Sequence, residues 1–334
     1  MAIKVAINGF GRIGRLAYRL MHDDPQFDIV ALNDLSNAEE LAYLLKYDTA
    51  QGRFDRDIKV DGDKLIVDGK TSQIFAEKDP STLPWEKLGV DVVLECTGIF
   101  LTEEKAGLHL QAGAKKVLIS APGKGKIKMV VYGVNENILT KDDHIVSAAS
   151  CTTNCLAPMV KVLDDAFGVE KGFMTTVHAY TNDQSLMDQP HRKGYKSRRG
   201  RAAALSIIPS TTGAASAVGK VLTHLNGKLD GTALRVPTIT GSIVDLTVEL
   251  KKPVTVESVN AAFKKASNPT LTYTEDPIVS VDVIGSHSSL FDANTTQVLD
   301  VDGRQLVKVM AWYDNEMTYT AQMVKTLKLL VNLK

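Results

Sequence analysis

A short apolar run, Ile3 to Ile7, leads directly into Gly9-Phe-Gly-Arg-Ile-Gly14, and a helical pattern from Arg15 to His22 follows. Glycines at that spacing let the backbone turn sharply out of a strand and start a helix with main chain packed close against main chain. A second apolar strand, Phe27 to Asn33, then ends at Asp34, 20 residues after Gly14. An ordinary strand–turn–helix requires neither the third glycine nor the acid. The combination commits the first part of the chain to a βαβ unit, hence to a parallel sheet, and points to a dinucleotide site. Gly9, Phe10, Gly11, Arg12, Ile13 and Gly14 form its turn, where the helix N-terminus can face a pyrophosphate. Asp34 can accept hydrogen bonds from ribose hydroxyls and would repel a 2′-phosphate, and no arginine lies between Asp34 and Lys46. NAD is therefore expected rather than NADP.

Alternation continues beyond this unit. Asn37 to Tyr47 reads as a helix with Leu41, Leu44 and Leu45 on one stripe, and Ile58 to Val67 reads as a hairpin turning at Asp61-Gly62. Val90 to Cys96 and Lys116 to Ser120 read as strands around a helix from Glu103 to Ala112. This predicts an α/β domain over residues 1–150 with a doubly wound parallel sheet of the Rossmann type. The pattern then changes. A helix over Asn154 to Phe167 is followed by longer strand-like runs, Gly172 to Ala179, Ile243 to Leu250 and Leu306 to Trp312, with few helices between them. That predicts a second, α+β domain over 151–316 with a mainly antiparallel sheet, before an amphipathic helix from Met317 to Leu330.

Charge excludes some functions. Lys+Arg and Asp+Glu balance at 39 each in 334 residues, which argues against a general nucleic-acid binder or a membrane-surface protein. No segment reaches the roughly 18 apolar residues of a membrane helix, and the N-terminus lacks a signal-peptide pattern. The three cysteines, Cys96, Cys151 and Cys155, are too few and too oddly spaced for a disulfide framework or a zinc site. A reducing, cytoplasmic setting and no metal are expected, with Cys96 and Cys155 as small buried hydrophobes.

Cys151 differs. It opens a helix among Ser150, Thr152, Thr153 and Asn154, and His178 follows in the strand Gly172 to Ala179. A thiol attacks a carbonyl as its thiolate, which a helix N-terminus and a nearby imidazole both promote. The pair fits covalent catalysis on an aldehyde. Sulfur adds to give a hemithioacetal, His178 takes the hydroxyl proton as hydride leaves, and the thioester product remains an active acyl donor.

The segment Ser150-Cys-Thr-Thr-Asn-Cys-Leu-Ala-Pro158 resembles the active-site segment of the phosphorylating glyceraldehyde-3-phosphate dehydrogenase family. Ile7 to Arg15, Gly231 to Thr238 and Trp312 to Glu316 match in order, so the resemblance covers nearly the whole chain. It implies oxidation of glyceraldehyde 3-phosphate with NAD and inorganic phosphate. It assigns Thr181 and Arg235 to the substrate phosphate, Ser150, Thr152, Thr212 and Gly213 to the attacking phosphate, and Arg199 to a place near both, with Arg198 and Arg201 flanking it. It adds Lys78, Thr97, Gly98, Phe100 and Ser120 to the cofactor pocket and Asn315 to the nicotinamide amide. It implies that the last helix, 317–334, packs back on the first domain.

The run Gln189 to Arg201 carries six Lys/Arg and no acid. A nucleic-acid patch is one reading, but the run holds a single aromatic, Tyr195, in a neutral protein. The resemblance makes it a loop pinned between the subunits of a homotetramer. Gly200 and Thr318 depart from the family pattern, which commonly has alanine and glycine there. An erythrose-4-phosphate dehydrogenase shares this scaffold and thiol chemistry, and a secondary binding or adhesion role is compatible with it.

Overall fold

The computed structural model describes residues 2–333. It divides into two compact units. One takes in the chain up to Tyr132, Glu136–Ser150 and the chain from Thr320 onward, and the other Gly133–Asn135 and Cys151–Tyr319.

The first unit is built on nine strands: β1 Ile3–Asn8, β2 Phe27–Asn33, β3 Ile58–Asp61, β4 Lys64–Val67, β5 Lys70–Phe75, β6 Val92–Glu95, β7 Lys116–Ile119, β8 Lys128–Met129 and β9 Ile145–Ser147. They run in the order β3-β4-β5-β2-β1-β6-β7-β9-β8. From β5 to β8 every pairing is parallel. The predicted hairpin β3–β4 is there, but it belongs to a meander whose third strand, β5, pairs antiparallel with β4 and parallel with β2. The helices are α1 Arg12–His22, α2 Ala38–Lys46, the single turn α3 Trp85–Leu88 and α4 Glu103–Gln111. On α2, Leu41 and Leu45 are buried, whereas Leu44 is 42% exposed. Three leucines inside five residues subtend more arc than the face that meets the sheet. All four residues of β6 are buried, as a central strand covered on both sides requires. Trp85, fully buried, packs with Ala6, Ala31, Val90 and Val93.

The second unit holds α5 Cys151–Phe167, β10 Val169–Ala179, β11 Ile208–Thr211, α6 Ala214–Val221, β12 Leu229–Val236, β13 Ser242–Leu250, α7 Val256–Ala266, β14 Leu271–Thr274, β15 Ser289–Val301 and β16 Arg304–Tyr313. The helix α8, Met317–Asn332, spans the boundary between the units. The second sheet is mixed, in the order β11-β12-β10-β13-β16-β15-β14. Its pairings are antiparallel except β10 with β12 and β14 with β15. Among the described residues no helix is long and apolar enough to cross a membrane.

In the first unit β1 lies between β2 and β6, so the chain leaves its C-terminal end to one side and returns on the other. Such a switch point opens a crevice at the strand ends. Gly9 sits there at φ +91, a value side chains disfavour. A Cβ on Gly14 would lie 2.2 Å from the carbonyl oxygen of Gly9, so the start of α1 needs hydrogen there. Gly14→Ala is expected to destabilise the first unit by about 1–3 kcal/mol, the scale of overpacking. Equilibrium denaturation followed by Trp85 emission, in a Trp312→Phe background, measures it; an unchanged midpoint would contradict the close packing.

Candidate active site

The crevice of the first unit is a cleft of about 580 Å³ lined by Gly9 and Gly11 after β1, by Asp34 and Leu35 after β2, by Lys78, and by Thr97 and Phe100 after β6. Gly11 is the N-cap of α1 and offers no side-chain cap, and the first turn holds no acid. A Cβ on Gly11 would meet nothing within 4 Å, so the helix start faces open space that an anion can enter. The carboxylate of Asp34 accepts from the N–H groups of Phe10 at 2.8 Å and Ser36 at 3.0 Å, which holds it at the end of β2. Arg12 is held by Asp48. These features fit a dinucleotide: a helix start for its phosphates and a fixed carboxylate for a ribose. Gly98 and Ser120 close the ends of β6 and β7 without lining the cleft.

The second unit gathers the remaining chemistry. Cys151 is the first residue of α5, three residues earlier than the periodicity suggested, and Ala149 just before it stands at φ 61. His178 lies next to the end of β10, and the parallel register sets it opposite Arg235 of β12. The sulfur of Cys151 is 3.4 Å from Nε2 of His178. Nδ1 of the same ring is 2.7 Å from the carbonyl oxygen of Ala179. A carbonyl can only accept, so Nδ1 carries the proton and Nε2 presents its lone pair to the thiol.

Burial resists separate charges on this pair. It pushes the Cys151 thiol up, against the pull of the Arg235 charge, and drives His178 down to about 3. A proton that moves from sulfur to Nε2 creates both charges in contact, and their attraction offsets the desolvation that each would meet alone. The expected standing thiolate therefore depends on His178 as partner. Tyr313, at the end of β16, braces the pair. Its hydroxyl is 2.9 Å from Thr152 Oγ1 and 2.8 Å from Thr176 Oγ1, and its ring meets His178 edge-on at 6.0 Å. Burial, first of all, keeps that phenol protonated.

The anion-binding candidates fall into two groups. Arg235 donates through Nη1 to Ala179 O at 3.0 Å and to Thr181 Oγ1 at 2.9 Å. Its Nε is buried with no hydrogen-bond partner among the described residues, a donor that an anion would satisfy. Asp183 takes hydrogen bonds from both Thr181 and Arg199, and Arg199 Nε donates to Ser210 at 2.9 Å. Burial would raise the Asp183 carboxyl, but the bonds from Thr181 and Arg199 outweigh it and hold it low. Arg201 is exposed and paired with Asp188, so of the two it is Arg199 that reaches this cluster. Thr152 turns its hydroxyl into the Tyr313 contact, and its backbone N–H, in the first turn of α5, faces the Cys151 sulfur, where it favours the thiolate. Ser210 and Thr211 close β11. Thr212 and Gly213 lead into α6, where Gly213 is the N-cap. Ser150 immediately precedes α5.

The amide oxygen of Asn315 accepts from Ser242 at 2.8 Å and Thr240 at 3.3 Å, which leaves its NH₂ as the donor end. Thr318 needs no positive φ; its hydroxyl donates to Ser286 O at 2.7 Å and accepts from Asp314 N–H at 3.1 Å. Gly200 is explained by contact, since a Cβ there would lie 2.5 Å from the Gln189 carbonyl oxygen. Sequence reasoning missed Asp183 and Tyr313. Each lies within two residues of a residue it did single out, but only the fold shows what it binds. Among the described residues no cluster of His, Cys, Asp or Glu could hold a metal ion.

Residues 3–103 match the family model of the glyceraldehyde 3-phosphate dehydrogenase NAD binding domain. Residues 150–315 match that of the same enzyme's C-terminal domain. The chain is 59% identical over 326 residues to a glyceraldehyde-3-phosphate dehydrogenase of Clostridium pasteurianum, covering 97% of each chain. It is 55% identical over 330 residues to one of Streptococcus pyogenes serotype M1, covering 98% of each. A glycine turn ahead of a parallel sheet and a thiol–imidazole pair on a mixed one thus have their counterpart in known proteins, and the chain belongs to the glyceraldehyde-3-phosphate dehydrogenase family.

Proposed function

We propose that this chain oxidises glyceraldehyde 3-phosphate with NAD and inorganic phosphate to 1,3-bisphosphoglycerate, a step of glycolysis. The observation that carries the reading is the 3.4 Å contact between Cys151 and an imidazole nitrogen whose tautomer is fixed by the Ala179 carbonyl. Nε2 takes the thiol proton as sulfur attacks the aldehyde carbon, and returns it to the new oxyanion to give the hemithioacetal. The backbone N–H of Cys151, at the helix start, supports the oxyanion together with the imidazole. NAD, when bound, supplies the hydride acceptor. As hydride leaves carbon, Nε2 takes the hydroxyl proton, and the sulfur is left holding a thioester. Phosphate oxygen then attacks the acyl carbon, and the thiolate departs to recover its proton from His178.

Thr181 and Arg235 bind the substrate phosphate. Ser150, Thr152, Thr212 and Gly213 bind the attacking one, and Arg199 stands near both. Guanidinium groups, hydroxyls and helix-start N–H groups suit phosphate oxygens. The cleft of the first unit holds NAD, with Asp34 on the ribose, and Asn315 serves the nicotinamide carboxamide. The three cysteines are free thiols, which suits a reducing cytoplasm. NADH formation from glyceraldehyde 3-phosphate, compared with erythrose 4-phosphate and run with and without phosphate, tests the reaction. Turnover that favours the three-carbon aldehyde, needs phosphate and vanishes in Cys151→Ser is expected. Near-normal turnover of Cys151→Ser would remove the nucleophile.

His178→Asn should lower the rate of the chemical step by about 10²–10⁴-fold. The thiol would keep its burial but lose its charge partner, so its alkylation profile should move to higher pH. An unchanged profile would separate His178 from the thiol.

The assembly is a homotetramer in which the loop from Gln189 to Arg201 lies between subunits. Around that loop Leu186, Met187, Tyr195, Leu205 and Ile207 are all exposed, Tyr195 at 92%. So much apolar surface in one stretch suits a self-complementary contact. Light scattering coupled to size exclusion at micromolar concentration should give four chains; a stable, fully active monomer would overturn the assembly.

A further inference from the structure

Below the cofactor cleft lies a polar network that the reaction does not use. Strand register brings Asn8 level with Asn33 on one side and with Glu95 on the other, at the C-terminal ends of β1, β2 and β6. Asn8 is 1% exposed and Glu95 is fully buried, as are His109 of α4 and Trp85 of α3. Asn33 donates to Asn8 Oδ1 at 2.7 Å, and Asn8 Nδ2 donates to Glu95 Oε2 at 2.6 Å. His109 Nε2 is 3.1 Å from the same oxygen, and Trp85 Nε1–H donates to His109 Nδ1 at 3.1 Å. The indole can only donate, so Nδ1 is the acceptor and Nε2 holds the proton that faces Glu95. The other oxygen, Oε1, accepts from the N–H of Thr97 at 2.7 Å and from its hydroxyl. All four contacts to the carboxylate are donors.

Each arm of this network ends in a wall of the cleft. Thr97 begins the wall after β6, and its hydroxyl accepts from Ile99 N–H at 3.1 Å. The Thr97 backbone touches the glycine turn, since a Cβ on Gly9 would meet Thr97 N at 2.8 Å. Asn33 exchanges hydrogen bonds with the backbone of Glu77, at 2.8 and 2.9 Å, just before Lys78. Burying a carboxylate, an imidazole and two amides is costly unless every partner is met. A hydrophobic core would hold the sheet at less cost. What such a core cannot do is fix three loops with directional bonds from one point.

We propose that Glu95 is a positioning residue for the cofactor cleft. Its carboxylate sets the Thr97 turn and, through Asn8 and Asn33, the glycine turn and the Glu77-Lys78 segment, so that the cleft is shaped before NAD enters. His109 and Trp85 hold the carboxylate in that orientation. The inference rests on the reading of the cleft as the NAD site. In Glu95→Gln one carboxylate oxygen becomes an NH₂ that faces donors, and the Thr97 turn loses its anchor or Asn8 does. NAD affinity measured by calorimetry should fall about tenfold or more, the scale of one charged hydrogen bond. The KM for NAD should rise with it, while the KM for the aldehyde stays put. Thr97→Val should reproduce the affinity loss and Thr97→Ser should restore it, which keeps the test open if Glu95→Gln fails to fold. A fall in melting temperature with wild-type NAD affinity in Glu95→Gln, or equal affinities in Thr97→Val and Thr97→Ser, would overturn the positioning role. Failure of the wild-type chain to bind NAD would instead overturn the reading of the cleft.

Discussion

The carbonyl oxygen of Ala179 accepts two hydrogen bonds, one from His178 Nδ1 and one from Arg235 Nη1. The first decides which imidazole nitrogen faces the thiol. The second fixes the Arg235 guanidinium, whose buried Nε has no hydrogen-bond partner among the described residues. The second follows from the pairing of β10 with β12, which sets His178 and Arg235 side by side; the first is made within β10, to the next residue. A register slip of one residue would turn His178 to the opposite face of the sheet and separate it from Cys151. The mixed sheet is thus the scaffold on which one backbone atom holds the imidazole and the guanidinium together.

Energetics explain why the thiol and the imidazole must be read as one unit. Each alone is disfavoured as an ion by its burial. The transfer of one proton over 3.4 Å changes both charges at once and leaves the net charge of the site unaltered. Arg235 favours the thiolate and disfavours the imidazolium, so its field helps one partner and hinders the other. Tyr313 contributes shape without charge: a protonated phenol tied to Thr152 and Thr176 links α5 to β10 behind the reacting atoms.

Much of this was legible in the residues. The glycine turn, the strands Ile3 to Ile7 and Phe27 to Asn33, and the parallel sheet follow from short-range patterns, which periodicity reports well. The third meander strand, β5, was not seen, because Lys70–Phe75 alternates weakly and gains its order from β2. Leu44 misled because a stripe read from spacing is wider than the contact that the sheet allows. The parallel pairings β10–β12 and β14–β15 join segments far apart in sequence, and no local signal reports them. Asp183 and Glu95 went unread for a common reason. A lone acid has the same appearance in sequence whether it faces water or holds four donors. The chain's balanced charge gave no hint that any carboxylate was spoken for.

The two units offset buried charge in different ways, and the difference matches their tasks. Around Glu95 every proton has a fixed owner, because Trp85 sets the tautomer of His109 and the remaining donors are amides, a backbone N–H and a hydroxyl. Such a network can hold a shape, and it has no vacancy through which a proton could move. Around Cys151 one proton is left without a fixed owner, since sulfur and Nε2 can both hold it. A site that binds by preorganised contacts gains from the first arrangement, because the ordering cost is met during folding and not at the moment of binding. A site that must pass a proton at two successive steps needs the second. Neither sheet on its own combines both properties, which is a physical reason for one chain to carry a rigid parallel unit and a separate one built around a mobile proton.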